Sequence, residues 1–251
     1  MALLDGRACP DALAIARELP EGRVLDLVLS YLERHVAANE AYFSEQLERL
    51  EPELAHRIVA MLAKTGTQAG IDVVQSLLRS ANPVLRCEAT ALLAESHDTL
   101  KDQLLGMIDA LDESVRKAAL STMVRHEVRA AGPGLVRAIE DEKFWSRPTE
   151  AQRELLEALH CLHPRRAEEI TTGIVSKHGL MKDDELERTR TMAAELLGAW
   201  GETDLALQGL QEAMTRRWWN SPALRTEAAK AAHAVSTRIA ERKSRDEEAP
   251  S

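Results

Sequence analysis

Aromatic side chains are nearly missing from this chain: two Phe, two Tyr and four Trp make up 3% of its 251 residues. β-Sandwiches and barrels lean on aromatic and β-branched residues for their cores, so the shortage argues against an all-β fold. Cysteine is equally sparse. Cys9, Cys87 and Cys161 are odd in number and far apart, which argues against a disulfide framework and for a reducing compartment, the cytoplasm. No apolar run approaches the roughly 18 residues of a membrane span, so no membrane insertion is expected. The start, Met1-Ala2-Leu3-Leu4-Asp5-Gly6, lacks the basic-then-apolar order of a signal peptide. It is also abrupt, and reads as the edge of a regulatory module cut from a longer protein. Positive charge is not in excess either. The formal net charge is −9, with the two signs mixed throughout, whereas nonspecific nucleic-acid binding wants a net basic surface or a clear basic stripe.

What the chain has in quantity is Ala and Leu, within a hydrophobic content of 45%. Helical periodicity is nearly continuous and no segment sustains strand alternation. Across it runs an arginine series: Arg86, Arg116, Arg153, Arg190 and Arg225, at gaps of 30, 37, 37 and 35 residues. The clearest members open apolar helical runs, as in Leu85-Arg86-Cys87-Glu88-Ala89 and Val115-Arg116-Lys117-Ala118-Ala119. A period near 35 residues marks a solenoid, in which each unit shares its core with the next.

The best-formed unit predicts a helix over Thr67–Arg79 and a second after Asn82-Pro83. Asn accepts from free backbone N–H groups at a helix start, and Pro suits the first turn. The next unit predicts 100–111, a cap at Asp112, and 115–124. Later pairs fall at 134–142 with 150–162, 167–177 with 185–199, and 203–217 with 223–240. Upstream, Leu54–Ala60 matches weakly around Arg57 after a helix at Glu40–Leu50, and Asp11–Leu19 and Arg23–Ala37 read as two more helices. Breakers such as Pro20-Glu21-Gly22, Gly132-Pro133-Gly134 and Asn220-Ser221-Pro222 sit where turns are needed. Residues 241–251 are charged without an apolar face and are expected to be a disordered tail.

The segments Asn82–Ala89, Asp112–Ala119 and Ser221–Ala228 together resemble HEAT-like helical repeats of the short bacterial type, armadillo-like in architecture. The Arg190 unit keeps Arg190-Thr191-Met192-Ala193, while the Arg153 unit departs, with Leu156 where alanine is usual. The resemblance implies an all-α, right-handed α-solenoid of stacked antiparallel helix pairs, about six to seven repeats. The resemblance covers roughly residues 50–240, and residues 1–240 are expected to form one solenoid, divergent over 1–50 and clearer over 51–240. It also implies that the five arginines are inter-repeat struts, with Arg86 reaching toward the Asp112 turn.

Residues outside that scheme are the candidates for function. Arg216-Arg217-Trp218-Trp219 ends a helix, and adjacent tryptophans point about 100° apart, so both do not share one core. Trp145 and Arg147 occupy a comparable turn two units earlier, 73 residues before Trp218. Together these six residues are the expected partner-binding edge, since Trp and Arg are enriched at interaction hot spots. Glu88, Lys117, Glu154, Glu187 and Lys230 are expected to face away from the core on the second helices. His160-Cys161-Leu162-His163 offers metal-type ligands, but a stable zinc site wants three or four and no partner set shows. His126-Glu127 resembles an iron-ligand pair of HEAT-repeat hydroxylases, which need several such pairs; one occurs. Gly132-Pro133-Gly134 lacks the lysine and strand of a phosphate loop. No catalytic residue, cofactor or metal is therefore assigned. The expected role is a non-enzymatic scaffold or adaptor for a protein partner. The alternative is a HEAT-like nucleic-acid-binding protein of the DNA glycosylase type, which the net charge opposes.

Overall fold

The computed structural model describes residues 6–94, 98–110, 112–177, 184–215 and 220–248. Among them the fold is all-α, a stack of helices each packed on its neighbours along the chain. In order they are α1 (Cys9–Glu18), α2 (Arg23–His35), α3 (Glu40–Gln46), α4 (Pro52–Lys64), α5 (Gln68–Leu77), α6 (Pro83–Ala94), α7 (Asp98–Gly106) and α8 (Glu113–Arg125). There follow α9 (Gly132–Glu140), α10 (Thr149–Leu162), α11 (Pro164–Ser176), α12 (Asp184–Trp200), α13 (Asp204–Thr215) and α14 (Pro222–Glu248). None is long and apolar enough to cross a membrane.

Helix packing divides the chain into two compact units, Met1–His126 and Glu127–Ser251, where the sequence reading expects one array over residues 1–240. α14 runs on to Glu248, so residues 241–248, expected as a tail without structure, are helical.

The caps fall where the turn residues stand. Asn82 Oδ1 accepts from Val84 N–H at 3.0 Å, Asp112 Oδ1 from Ser114 N–H at 2.8 Å, and Thr67 Oγ1 from Gly70 N–H at 3.0 Å. Each satisfies a backbone donor that the helix cannot use itself. In the first unit α4, α6 and α8 form one packed row, with α5 on α4 and α6 and α7 on α6. Its core includes Phe43, Leu47, Ile58, Leu62, Leu85 and Ala89, all fully buried. In the second unit α10, α12 and α14 form the corresponding row, and α11 and α13 pack behind them. Small residues set the spacing there. A Cβ on Gly209 of α13 would lie 2.7 Å from Thr172 Cγ2 of α11, and one on Gly198 of α12 3.1 Å from Ala231 Cβ of α14.

Candidate functional site

In the first unit the side chain that breaks the repeat scheme is Glu88. It was expected on the outer face of its helix, and instead it is fully buried, at 0% exposure. The position two residues after each motif arginine explains this. That position carries buried Val59, Ala118, Leu155 and Met192 in four other repeats and half-buried Glu227 in the last, so α6 turns Glu88 onto the same inner face. An ionised carboxylate survives there only if fully partnered. His56 Nδ1 of α4 lies 2.8 Å from Glu88 Oε2, and His126 Nε2, just past α8, lies 2.6 Å from the same oxygen. Oε1 accepts from Thr122 Oγ1 at 3.2 Å and from Arg125 Nη1. Arg125 Nη2 also donates to Glu53 at 3.2 Å. Burial alone raises the Glu88 carboxyl, but the hydrogen bonds from His126 and His56 and their charge outweigh it and hold it well below the usual carboxylate range.

Both imidazoles are partly open to solvent, at 15% and 20% side-chain exposure, so the cluster has a route outward. His126 was singled out in the sequence only for its neighbour Glu127. The carboxylate that meets it is Glu88, 38 residues earlier, and Glu127 is an exposed residue with a left-handed backbone (φ 48°). Beside the cluster, Cys87 is buried and its thiol pushed up to about 11, chiefly by burial.

In the second unit a cleft of about 1,050 Å³ opens at the ends of α10 and α12. Arg129, Arg165, Arg166, Arg238 and Arg242 line it. Arg166 pairs with Glu140 at 3.1 Å and Glu169 at 3.0 Å. Arg238 donates to the carbonyls of Gly198 and Gly201, closing the C-terminal end of α12. Arg165 and Arg242 stand exposed at the rim. Of the two carboxylates in the lining, Glu168 is buried and occupied: its Oε1 accepts from Glu202 N–H at 2.8 Å, Thr203 N–H at 2.7 Å and Thr203 Oγ1 at 2.8 Å. An aromatic wall completes the cleft, with His160 stacked on Trp200 at 4.3 Å and 12°. Burial lowers the His160 pKa against the raising charges of Glu168 and Glu202. His163 Nε2 lies 2.8 Å from the Arg129 carbonyl. The His160-Cys161-Leu162-His163 run is thus part of a cleft wall, with His163 bonded to a carbonyl and His160 stacked on Trp200 while its buried Nδ1 finds no partner among the described residues.

The residues singled out from the sequence are placed as follows. Trp145 is half-buried in the short 3₁₀ turn 142–146, edge-on to buried Phe144 at 5.5 Å, with Lys177 Nζ 3.8 Å from its ring centre. Arg147 is half-buried beside it. Arg216, Arg217, Trp218 and Trp219 lie outside the described residues. Among the motif arginines, Arg86 turns back to its own loop and donates to Ser80 O at 2.7 Å. It acts on Asp112 only by charge, behind the Ser114 bonds that chiefly lower that carboxyl. Arg116 is half-buried. Arg153 reaches Glu195 of the next repeat at 2.6 Å. Arg190, only 1% exposed, donates to Val175 O at 3.0 Å, to Asn220 Oδ1 at 2.8 Å and to Glu187. Arg225 is half-buried, and its Nε is enclosed without a hydrogen-bond acceptor among the described residues. Glu187, expected to point away from the core, is half-buried by these contacts, whereas Lys117 and Lys230 are exposed as expected.

No protein-family model matches the chain, and no curated protein does. Solved structures do. An engineered protein is 17% identical over 78% of this chain and 96% of its own, with a TM-score of 0.31. The complex of CpcE and CpcF of phycocyanin lyase from Nostoc sp. PCC7120 is 16% identical over 94% of this chain and 95% of that one, with a TM-score of 0.32. A designed armadillo repeat protein is 15% identical over 90% of this chain and 99% of its own, with a TM-score of 0.23. The functional reading rests on the chain's own residues.

Proposed function

We propose that the protein is a non-catalytic interaction scaffold, and that the cleft of its second unit takes an acidic segment of a protein partner. The observation that carries this reading is the concentration of five guanidiniums and a stacked Trp200–His160 pair around one open cleft, in a chain whose net charge is −9. Guanidinium groups form two-point hydrogen bonds with carboxylates, and a flat aromatic face adds contact at little cost in side-chain entropy. Arg238 and Arg166 are already bonded within the unit and shape the wall. Arg165 and Arg242 supply the exposed charge at the rim. A field of one sign over a small patch steers an oppositely charged partner while the acidic remainder repels polyanions. The three free thiols suit a reducing compartment, in keeping with a cytoplasmic protein.

A fluorescein-labelled 12-residue Glu-rich peptide bearing one Tyr tests the reading by anisotropy, beside a labelled single-stranded DNA 12-mer. Salt-sensitive binding of the peptide, weakened about tenfold or more by the pair Arg165→Glu and Arg242→Glu, is the expected outcome. An unchanged affinity in that double variant would remove the cleft from consideration. Tighter binding of the DNA at low salt would reverse the choice of partner in favour of nucleic acid.

A further inference from the structure

We propose that His56, Glu88 and His126 form a binding site for one divalent transition-metal ion of the zinc class. The three ligand atoms, His56 Nδ1, Glu88 Oε2 and His126 Nε2, lie within 4.8 Å of one another. They come from α4, from α6 and from the residue after α8, a row of helices packed on one another, so the backbone brings them together from 32 and 38 residues apart. Two imidazole nitrogens and one carboxylate oxygen are the donor set that suits zinc and its neighbours, with further coordination positions left for solvent.

Three features distinguish the cluster from a merely satisfied buried acid. First, both imidazoles converge on a single carboxylate oxygen, at 2.8 and 2.6 Å. Bonds of about 2.0–2.1 Å to one ion at tetrahedral angles set donors about 3.3 Å apart, so admitting the ion takes a swing of roughly half an ångström per ring. Secondly, the other oxygen is held by Thr122 and Arg125. Such bonds orient a metal-ligating carboxylate and leave Oε2 to coordinate. Thirdly, both rings are partly open to solvent, at 15% and 20% side-chain exposure, which gives an ion a way in. Bound there, it ties the alternate helices α4, α6 and α8 together.

The test is Co²⁺ titration of the chelator-treated full chain, read by the visible ligand-field band, with Zn²⁺ competition and circular dichroism to confirm the fold. The expected result is one Co²⁺ per chain, displaced by Zn²⁺. A rise in melting temperature on the order of 5–10 °C is expected at 100-fold excess of Zn²⁺ over its Kd. His56→Ala and His126→Ala each weaken binding by about 100-fold, while Cys161→Ser and His163→Ala leave it unchanged; both histidine variants keep Glu88 paired with Arg125, so they keep the fold. No ligand-field band from the folded wild type would overturn the proposal. So would a band that survives the His56→Ala/His126→Ala double variant, or one abolished by Cys161→Ser.

Discussion

Replacing Arg190 should do more damage than replacing any other motif arginine. Its guanidinium is enclosed in the second unit and divides its donors among three partners. Val175 O lies on the preceding helix, Glu187 one turn back on α12, and Asn220 in the turn before α14. Asn220 in turn donates to Ala213 O at 2.7 Å, and Glu187 Oε2 accepts from Ser221 N–H at 2.9 Å. One side chain therefore joins α11, α12, α13 and the start of α14. Arg190→Met keeps much of the apolar volume but leaves the Val175 carbonyl and the Asn220 carbonyl oxygen buried without donors. Each lost bond to a charged group is worth about 1.5–3 kcal/mol, and breaking a buried pair by removing one partner costs about 3–5 kcal/mol. Discounting for the partial solvent access of Glu187, 19% exposed, the expected loss is about 3–4 kcal/mol. That corresponds to a melting temperature lower by roughly 10–20 °C for a unit of this size.

The assay follows from the composition. All four tryptophans, Trp145, Trp200, Trp218 and Trp219, fall after residue 126, so urea unfolding followed by Trp fluorescence reports on the second unit alone. Arg225→Met, which removes a half-buried guanidinium whose Nε has no acceptor, should cost less than about 1.5 kcal/mol in the same assay. A loss under 1 kcal/mol for Arg190→Met, or an equal loss for both variants, would refute the reasoning that geometry rather than repeat position decides an arginine's weight.

Thiol reactivity gives a second check. Cys9 and Cys87 are buried with thiols raised by burial, whereas Cys161 is exposed, so a chromogenic disulfide reagent at pH 8 should titrate one thiol per native chain and three in denaturant. The His160–Trp200 stack predicts a pH dependence. The folded imidazole lies below its ordinary 6.5, so between those values the unfolded chain binds more protons, and stability of the second unit falls as pH drops from about 7 toward 5. His160→Gln should flatten that slope in urea midpoints taken at pH 7.5 and 5.5; parallel curves for the two proteins would count against it. Close packing of α11 on α13 gives the last check. Gly209→Ala sets a Cβ 2.7 Å from Thr172 Cγ2 and should cost about 1–2 kcal/mol by chemical denaturation. Thr172→Ala, which removes a hydroxyl with no partner in the fold, should restore most of it.

The helix pairs were legible in the sequence because local signals suffice for them. Asn82, Asp112 and Thr67 cap where the apolar periodicity begins, and the arginine spacing sets the repeat. Partnership across repeats was less legible, since it depends on which way a helix is rotated and how far it slides on its neighbour. Arg86 and Arg190 hold the same motif position, yet one bonds its own turn and the other the next repeat's. Glu88 is the instructive case. Read as a residue of a generic helix face, an acid at that position looks solvated. Read in register with the repeats, it stands where Val59, Ala118, Leu155 and Met192 are buried; Glu227 holds the same position half-buried against Lys230, so register points inward and the packing of α6 decides how deep the carboxylate goes. The partners themselves keep no such register: His56 directly precedes Arg57, while His126 falls ten residues after Arg116. The first repeat presents its imidazole from the first half of α4 and the third from beyond the end of α8, so only the packed helices bring the two rings to one oxygen. The same logic holds for the cleft, where Arg129, Arg165 and Arg238 come from three repeats and only Arg165 and Arg166 are neighbours in sequence. In repeat proteins the motif positions carry the architecture. The chemistry gathers where a motif position is filled by the wrong class of residue, or where residues outside the motif are brought together by stacking.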